Sequence, residues 1–145
     1  MISEHRVTVE AAPEVVWTIF TDVEAWPSWT ASVSRIEPLD GAGLEIGRRF
    51  RISQPKLPVL VWTITDVSPG RSWRWETTSV GARTSATHTL AATPHGHTVV
   101  TQCLEQTGWL GRPVAALTRR LTRRYLQLEA NGLKRASEHR VAPQT

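Results

Sequence analysis

Polar and apolar residues alternate through Ile2–Val9, the period of a strand with one buried face, and the run closes on Val7 and Val9. From Pro13 the period becomes helical. Val16, Ile19, Phe20 and Val23 fall on one stripe, Pro13 suits the first helical position, and Glu14 suits the positive end of the helix dipole. Asp22 is placed to cap a second, very short helix that Pro27 should end, because proline drives the residue before it out of helical geometry. Six strand-like segments follow between Ser32 and Thr107, divided by turn signals at Asp40–Gly43, Pro55–Pro58, Ser68–Gly70, Val80–Ala82 and Pro94–His97. Connections this short predict an antiparallel meander. After Gly108, apolar residues recur at helical spacing: Leu110, Val114, Leu117, Leu121, Tyr125 and Leu128. They predict one long amphipathic helix to about residue 137. The pattern therefore predicts a single domain over residues 1–138, with 139–145 a disordered tail.

A seven-stranded sheet has an apolar face to cover, and the long helix is the one element large enough to cover it, so the sheet must curl around that helix. The class is α+β. Hairpin positions then predict register. Folding about Pro94–His97 sets Leu90 opposite Thr101, His88 opposite Cys103 and Ala86 opposite Glu105. Folding about Val80–Ala82 sets Trp75 opposite Ala86 and Trp73 opposite His88. Folding about Pro69–Gly70 sets Trp73 opposite Asp66 and Trp75 opposite Ile64. One face then carries Trp62, Ile64, Asp66, Trp73 and Trp75 from one half of the meander, with Ala86, His88, Leu90, Cys103 and Glu105 from the other. The opposite face, with Arg74, Glu76, Thr87, Gln102 and Gln106, reads as solvated. Three tryptophans beside a few convergent polar groups describe a small-molecule pocket better than a core filled with Leu, Ile and Val.

Composition narrows the picture little. At 145 residues, 40% hydrophobic and 21% charged, the chain is an ordinary globular domain. The pI near 10.2 invites a nucleic-acid reading. The excess, however, is Arg over Lys, and the one cluster, Arg119, Arg120, Arg123 and Arg124, has no interleaved aromatics for base stacking. That cluster reads as a solvated helix face, or as the contact surface of an interaction module. A single Cys103 and no run of eighteen apolar residues are in keeping with a cytoplasmic protein. His95 and His97 share a hairpin turn without a third ligand nearby, and Gly41–Gly43 lacks the third glycine of a dinucleotide fingerprint, so no metal or cofactor is expected.

The candidate acid and base are His88 and Glu105, diagonal on the inner face. Tyr125, with Leu117 and Leu121, is the helix's contribution to the pocket wall. In the stretch Asp22–Thr30, "DVEAWPSWT", Trp17 and Trp26 are expected to brace the helix pair, and Trp29 to reach the pocket mouth.

The combined pattern resembles the polyketide cyclase/dehydrase branch of the SRPBCC superfamily, with its START-like helix-grip fold. The residues that carry it are Val9–Trp17 with its A-P-E-x-V-W core, Phe20–Asp22, Trp26–Trp29, Gly47, Ile64–Pro69 and Gly96–Thr101. The resemblance implies a seven-stranded curled antiparallel sheet wrapped around a long C-terminal helix, with two short helices between strands 1 and 2. It also implies a deep cavity for hydrophobic ligands, in a group whose members include lipid binders, aromatic polyketide cyclases and aromatases. The expected function is binding or carriage of a small hydrophobic, aromatic or polycyclic molecule. The rival is a cyclase, aromatase or dehydratase using His88 and Glu105. The small hydrophobic ligand is the expected partner, with no nucleic acid and no stable membrane insertion, and the chain is expected as a monomer or homodimer.

Overall fold

The computed structural model describes residues 2–141. The chain runs β1 (Ile2–Val9), α1 (Pro13–Thr21), a 3₁₀ helix (Val23–Ser28), β2 (Arg35–Pro38), β3 (Arg49–Ser53), β4 (Leu60–Ser68), β5 (Ser72–Ser79), β6 (Ala82–Ala92), β7 (Thr98–Thr107) and α2 (Gly111–Val141). All seven strands form one antiparallel sheet in the order β1-β7-β6-β5-β4-β3-β2. β2 to β7 are the meander that the turn spacing predicts, and β1 closes the far edge against β7. α2 lies along the inner face against β1, β6 and β7, and α1 packs on α2 and β6. The fold is thus the helix-grip arrangement.

Pro13 occupies the first turn of α1 and Glu14 its positive end, with Val16 and Phe20 buried. Asp22 stands at the N-cap of the 3₁₀ helix, yet its side chain makes no capping hydrogen bond, and Pro27 lies inside that helix rather than ending it. A 3₁₀ turn tolerates this because few of its hydrogen bonds need the lost N–H. Fully buried Phe20, Trp26, Phe50, Ile64, Trp73 and Leu133 anchor the core.

Two registers are as the hairpins predict: Trp73 faces His88 and Trp75 faces Ala86 across β5–β6, and Ile64 faces Trp75 across β4–β5. Two differ. β7 is slipped by one residue from the expected pairing, with Leu90 opposite Val100, His88 opposite Gln102 and Ala86 opposite Leu104. The turn is the cause. Its five residues Thr93–His97 are closed by Thr93 N–H to His97 O at 2.9 Å and Gly96 N–H to Thr93 O at 3.0 Å, so Ala92 pairs with Thr98. A one-residue slip inverts a strand's faces. Gln102 and Gln106 are therefore buried, while Glu105 is exposed and Cys103 sits beside Glu4 on the outer side. In β4 an irregularity between Ile64 and Asp66 turns Asp66 outward, opposite Arg74, whose guanidinium lies 4.0 Å from its carboxylate.

α2 is longer and differently phased than the leucine spacing suggests. It continues to Val141, three residues into the expected tail; residues 142–145 lie outside the described residues. Leu117 is 87% exposed, and the face turned to the sheet carries Val114, Thr118, Thr122, Tyr125, Leu126 and Glu129. Those residues follow the helical period as strictly as the leucines do.

Candidate functional site

Between the sheet's inner face and α2 lies a cavity of about 220 Å³. Alternation along each strand delivers its walls: Trp62 from β4, Trp75 from β5, Ala86 and His88 from β6, Gln102 and Leu104 from β7. Trp26 closes one side from the 3₁₀ helix. At the other end exposed Pro58 and Ser79 line it with half-buried Leu57 and Thr118, so the cavity reaches solvent between the β3–β4 loop and the N-terminal half of α2. Tyr125 donates its hydroxyl hydrogen to the Pro55 carbonyl and so ties that loop to α2. Burial pushes the Tyr125 phenol up from its usual range.

The aromatic wall is continuous. Trp62 and Trp75 have ring centres 5.6 Å apart, Trp75 and Trp26 5.4 Å, and Trp26 stacks on Phe20 at 5.7 Å. Trp26 Nε1–H donates to the Phe20 carbonyl at 3.0 Å, which fixes the indole across the end of the cavity. The tryptophan roles expected from the sequence are therefore exchanged. Trp26 lines the cavity, whereas Trp29 packs against Gly132 of α2 outside it. The physical reason is the 3₁₀ helix, which carries Trp26 inward with buried Val23.

His88 is 2% exposed and stacks on Trp73, ring centres 3.8 Å apart and planes 19° from parallel. Its Nδ1 lies 3.2 Å from the Trp73 carbonyl, which can only accept, so Nδ1 carries the proton and Nε2 presents a lone pair. Burial lowers the pKa of His88 to about 3, against the weaker opposite pull of that hydrogen bond. The imidazole is neutral at ordinary pH. The expected partnership with Glu105 does not form, because the β7 slip puts Glu105 on the solvated face opposite Ser85 and Ile2. Asp66 is outside as well. Cys103 borders the cavity from β7, but its side chain lies on the outer side, where burial and the Glu4 and Glu105 carboxylates push the thiol up, so it stays protonated.

Of the remaining expected wall residues, Trp62, Trp75, Ala86 and Tyr125 line the cavity. Ile64, Trp73 and Leu90 are buried beside it in the core. Leu117 and Leu121 do not line it.

The sequence pattern misses a second strongly shifted group. Glu129 projects from α2 into the cavity, and burial raises its carboxyl pKa to about 8, opposed by a hydrogen bond from the Ser32 hydroxyl. Ser32 is fully buried, and its Oγ lies 2.9 Å from Thr30 Oγ1. Glu129 reads as one more polar helix residue, but it stands four positions from both Tyr125 and Leu133, two buried residues, and that spacing is the signal that could have found it. Gln102 was missed through the register slip. It is 3% exposed, lines the cavity, and its Oε1 has no hydrogen-bond partner among the described residues. No helix among the described residues is long and apolar enough to cross a membrane.

The architecture and sequence match known proteins. The family model described as "Polyketide cyclase / dehydrase and lipid transport" matches residues 2–138. Among solved structures, a START superfamily protein from Mycobacterium smegmatis superposes with TM-score 0.77 at 16% identity, covering 97% of this chain and 99% of that one. The Zhui aromatase/cyclase from Streptomyces sp. R1128 does so with TM-score 0.72 at 17% identity, covering 98% and 96%. A norcoclaurine synthase point mutant from Thalictrum flavum, in complex with a transition-state analogue, reaches TM-score 0.79 at 12% identity, covering 98% and 96%. At these identities the structures speak for the fold alone. A search of curated proteins gave no match. With its family model spanning nearly the whole sequence, the chain belongs to the polyketide cyclase/dehydrase and lipid transport family of the SRPBCC superfamily.

Proposed function

We propose that the protein binds a small aromatic molecule in the cavity between the sheet and α2, as a carrier or binding protein. The observation that carries this reading is the cavity itself: about 220 Å³ walled by Trp26, Trp62 and Trp75 and reaching solvent at one end. An apolar cavity of roughly 150 Å³ holds a single benzene ring, so this one suits one or two fused rings rather than a long polycycle. Titration with naphthalene-sized compounds, followed by calorimetry and tryptophan emission, should give saturable one-to-one binding. Ala86→Phe fills the space beside Trp75 and should weaken binding by about tenfold or more with little change in fold. If no one- to three-ring compound binds, the reading fails.

A second reading, cyclisation, aromatisation or dehydration of a polyketide-like substrate, draws support from Glu129, whose pKa near 8 suits proton transfer close to neutrality. His88 and Glu105 do not supply that chemistry together, so a catalytic role would fall to Glu129. Should turnover of an enolisable aromatic diketone be detected, Glu129→Gln should reduce it by about 10²-fold or more. A loss of only a few-fold would count against catalysis by this carboxyl.

A further inference from the structure

We propose that the ligand's polar end is a cationic amine, with the Glu129 carboxylate as its counter-ion inside the aromatic cavity. The inference deepens the binding reading above and rests on it. Its starting point is a cavity carboxyl with no cationic partner. No lysine or arginine is among the described residues that line the cavity. The titratable groups that share the cavity with Glu129 are His88, neutral through burial, and Tyr125, held protonated; the Cys103 thiol, on the outer side of β7 beside Glu4, is protonated as well. Glu129 therefore has the Ser32 hydroxyl for company, and Ser32 is itself engaged with Thr30.

Two acceptors on neighbouring strands point to the same kind of ligand. Gln102 Oε1 is a buried acceptor with no partner among the described residues, and on the adjoining strand His88 offers the Nε2 lone pair. Acceptors face a space whose apolar walls are the rings of Trp26, Trp62 and Trp75. A hydrocarbon would leave the carboxyl and the Gln102 carbonyl oxygen unsatisfied. An anionic ligand would hold Glu129 in its protonated form and would meet the negative faces of the rings and the lone pairs of Gln102 and His88. A phenol donates one hydrogen bond but brings no charge. An ammonium group supplies both the donors and the positive charge, and its neighbouring CH₂ groups lie favourably on indole faces. The volume then sets the class: an arylalkyl amine with one or two rings.

Binding such a ligand ionises Glu129. The free carboxyl holds its proton up to about pH 8, and the incoming cation pulls its pKa down, so near neutrality each amine bound should release about one proton.

Three probes with one carbon skeleton test this by calorimetry at about pH 7.5: 2-naphthylmethylamine, 2-naphthylmethanol and 2-methylnaphthalene. The amine should bind at least about tenfold tighter than the alcohol. In Glu129→Gln that preference should shrink to about twofold or less. Comparing buffers of different ionisation enthalpy should show the proton release in the wild-type protein, which requires no variant to fold. Alcohol or hydrocarbon binding as tightly as the amine would overturn the inference and leave the cavity reading intact. Persistence of the amine preference in Glu129→Gln, or its binding without proton release, would overturn it too. Binding of none of the three would overturn the inference, and extended to every one- to three-ring compound it would remove the cavity reading itself.

Discussion

Gly132→Ala should destabilise the protein by about 3 kcal/mol, although alanine is favoured over glycine in a helix interior by roughly 1 kcal/mol. Gly132 lies inside α2, and a Cβ there would overlap the Trp29 carbonyl oxygen and stand 3.0 Å from Trp29 Cε3. The obstacle is backbone, which cannot swing aside like the end of a flexible side chain. Steric overlap therefore outweighs helix propensity. Urea unfolding should show the loss, and Tm should fall by roughly 10 °C for a domain of this size. Asn131→Ala at the exposed neighbouring position is the control and should be neutral or slightly stabilising. Equal stability of Gly132→Ala and wild type would mean that α2 is free to move off the Trp29 segment. Because Glu129 is one turn away on the same helix, displacement of α2 should also separate Glu129 from Ser32 and weaken amine binding.

The second large effect is on stability against pH, where buried His88 and half-buried Glu129, both desolvated by folding, act in opposite directions. Glu129 has its pKa raised from 4.5 to about 8 on folding, so above about 4.5 the unfolded chain has lost a proton that the native state still holds. Stability falls with rising pH until about 8, where the native carboxyl also ionises. His88 has its pKa lowered from 6.5 to about 3, so below 6.5 the unfolded chain takes up a proton that the native state refuses. Stability therefore falls as pH drops from 6.5 towards 3. Between about 4.5 and 6.5 the two slopes cancel, giving a plateau with a falling limb on each side, each limb on the order of a few kcal/mol. Urea unfolding at about pH 4, 5.5, 7 and 9 should show the alkaline limb flattened in Glu129→Gln and the acid limb flattened in His88→Gln. If both variants track the wild-type profile, neither group is desolvated on folding as its place in the structure requires.

Much of this was legible in the chain. Alternation, turn chemistry and the change of period at Gly108 specify seven strands, the helix pair and the long helix, because those signals are local and each is repeated over many residues. The tight Val80–Ala82 hairpin also fixes its own register, which sets Trp73, Trp75, Ala86 and His88 on the inner face before any tertiary contact is known. What the chain left open is which way a few side chains point, and tertiary packing decided it. A five-residue turn at Thr93–His97 exchanged Glu105 for Gln102 on the inner face. An irregularity in β4 sent Asp66 outward. The phase of α2 followed its contact with the sheet and with Trp29, burying Leu126 and Leu133 and not the Leu117–Leu121 stripe, so Leu117 was left in solvent and Glu129 was carried into the cavity. Hydrophobic spacing marks the face a helix buries against a filled core. A helix that walls a cavity can carry threonine, tyrosine and glutamate there, since the polar ends face space that a ligand can fill. For that reason the sequence by itself determined the fold and the Trp62 and Trp75 part of the aromatic wall, and only the assembled structure decided that Trp26 completes that wall and which acid stands in the cavity.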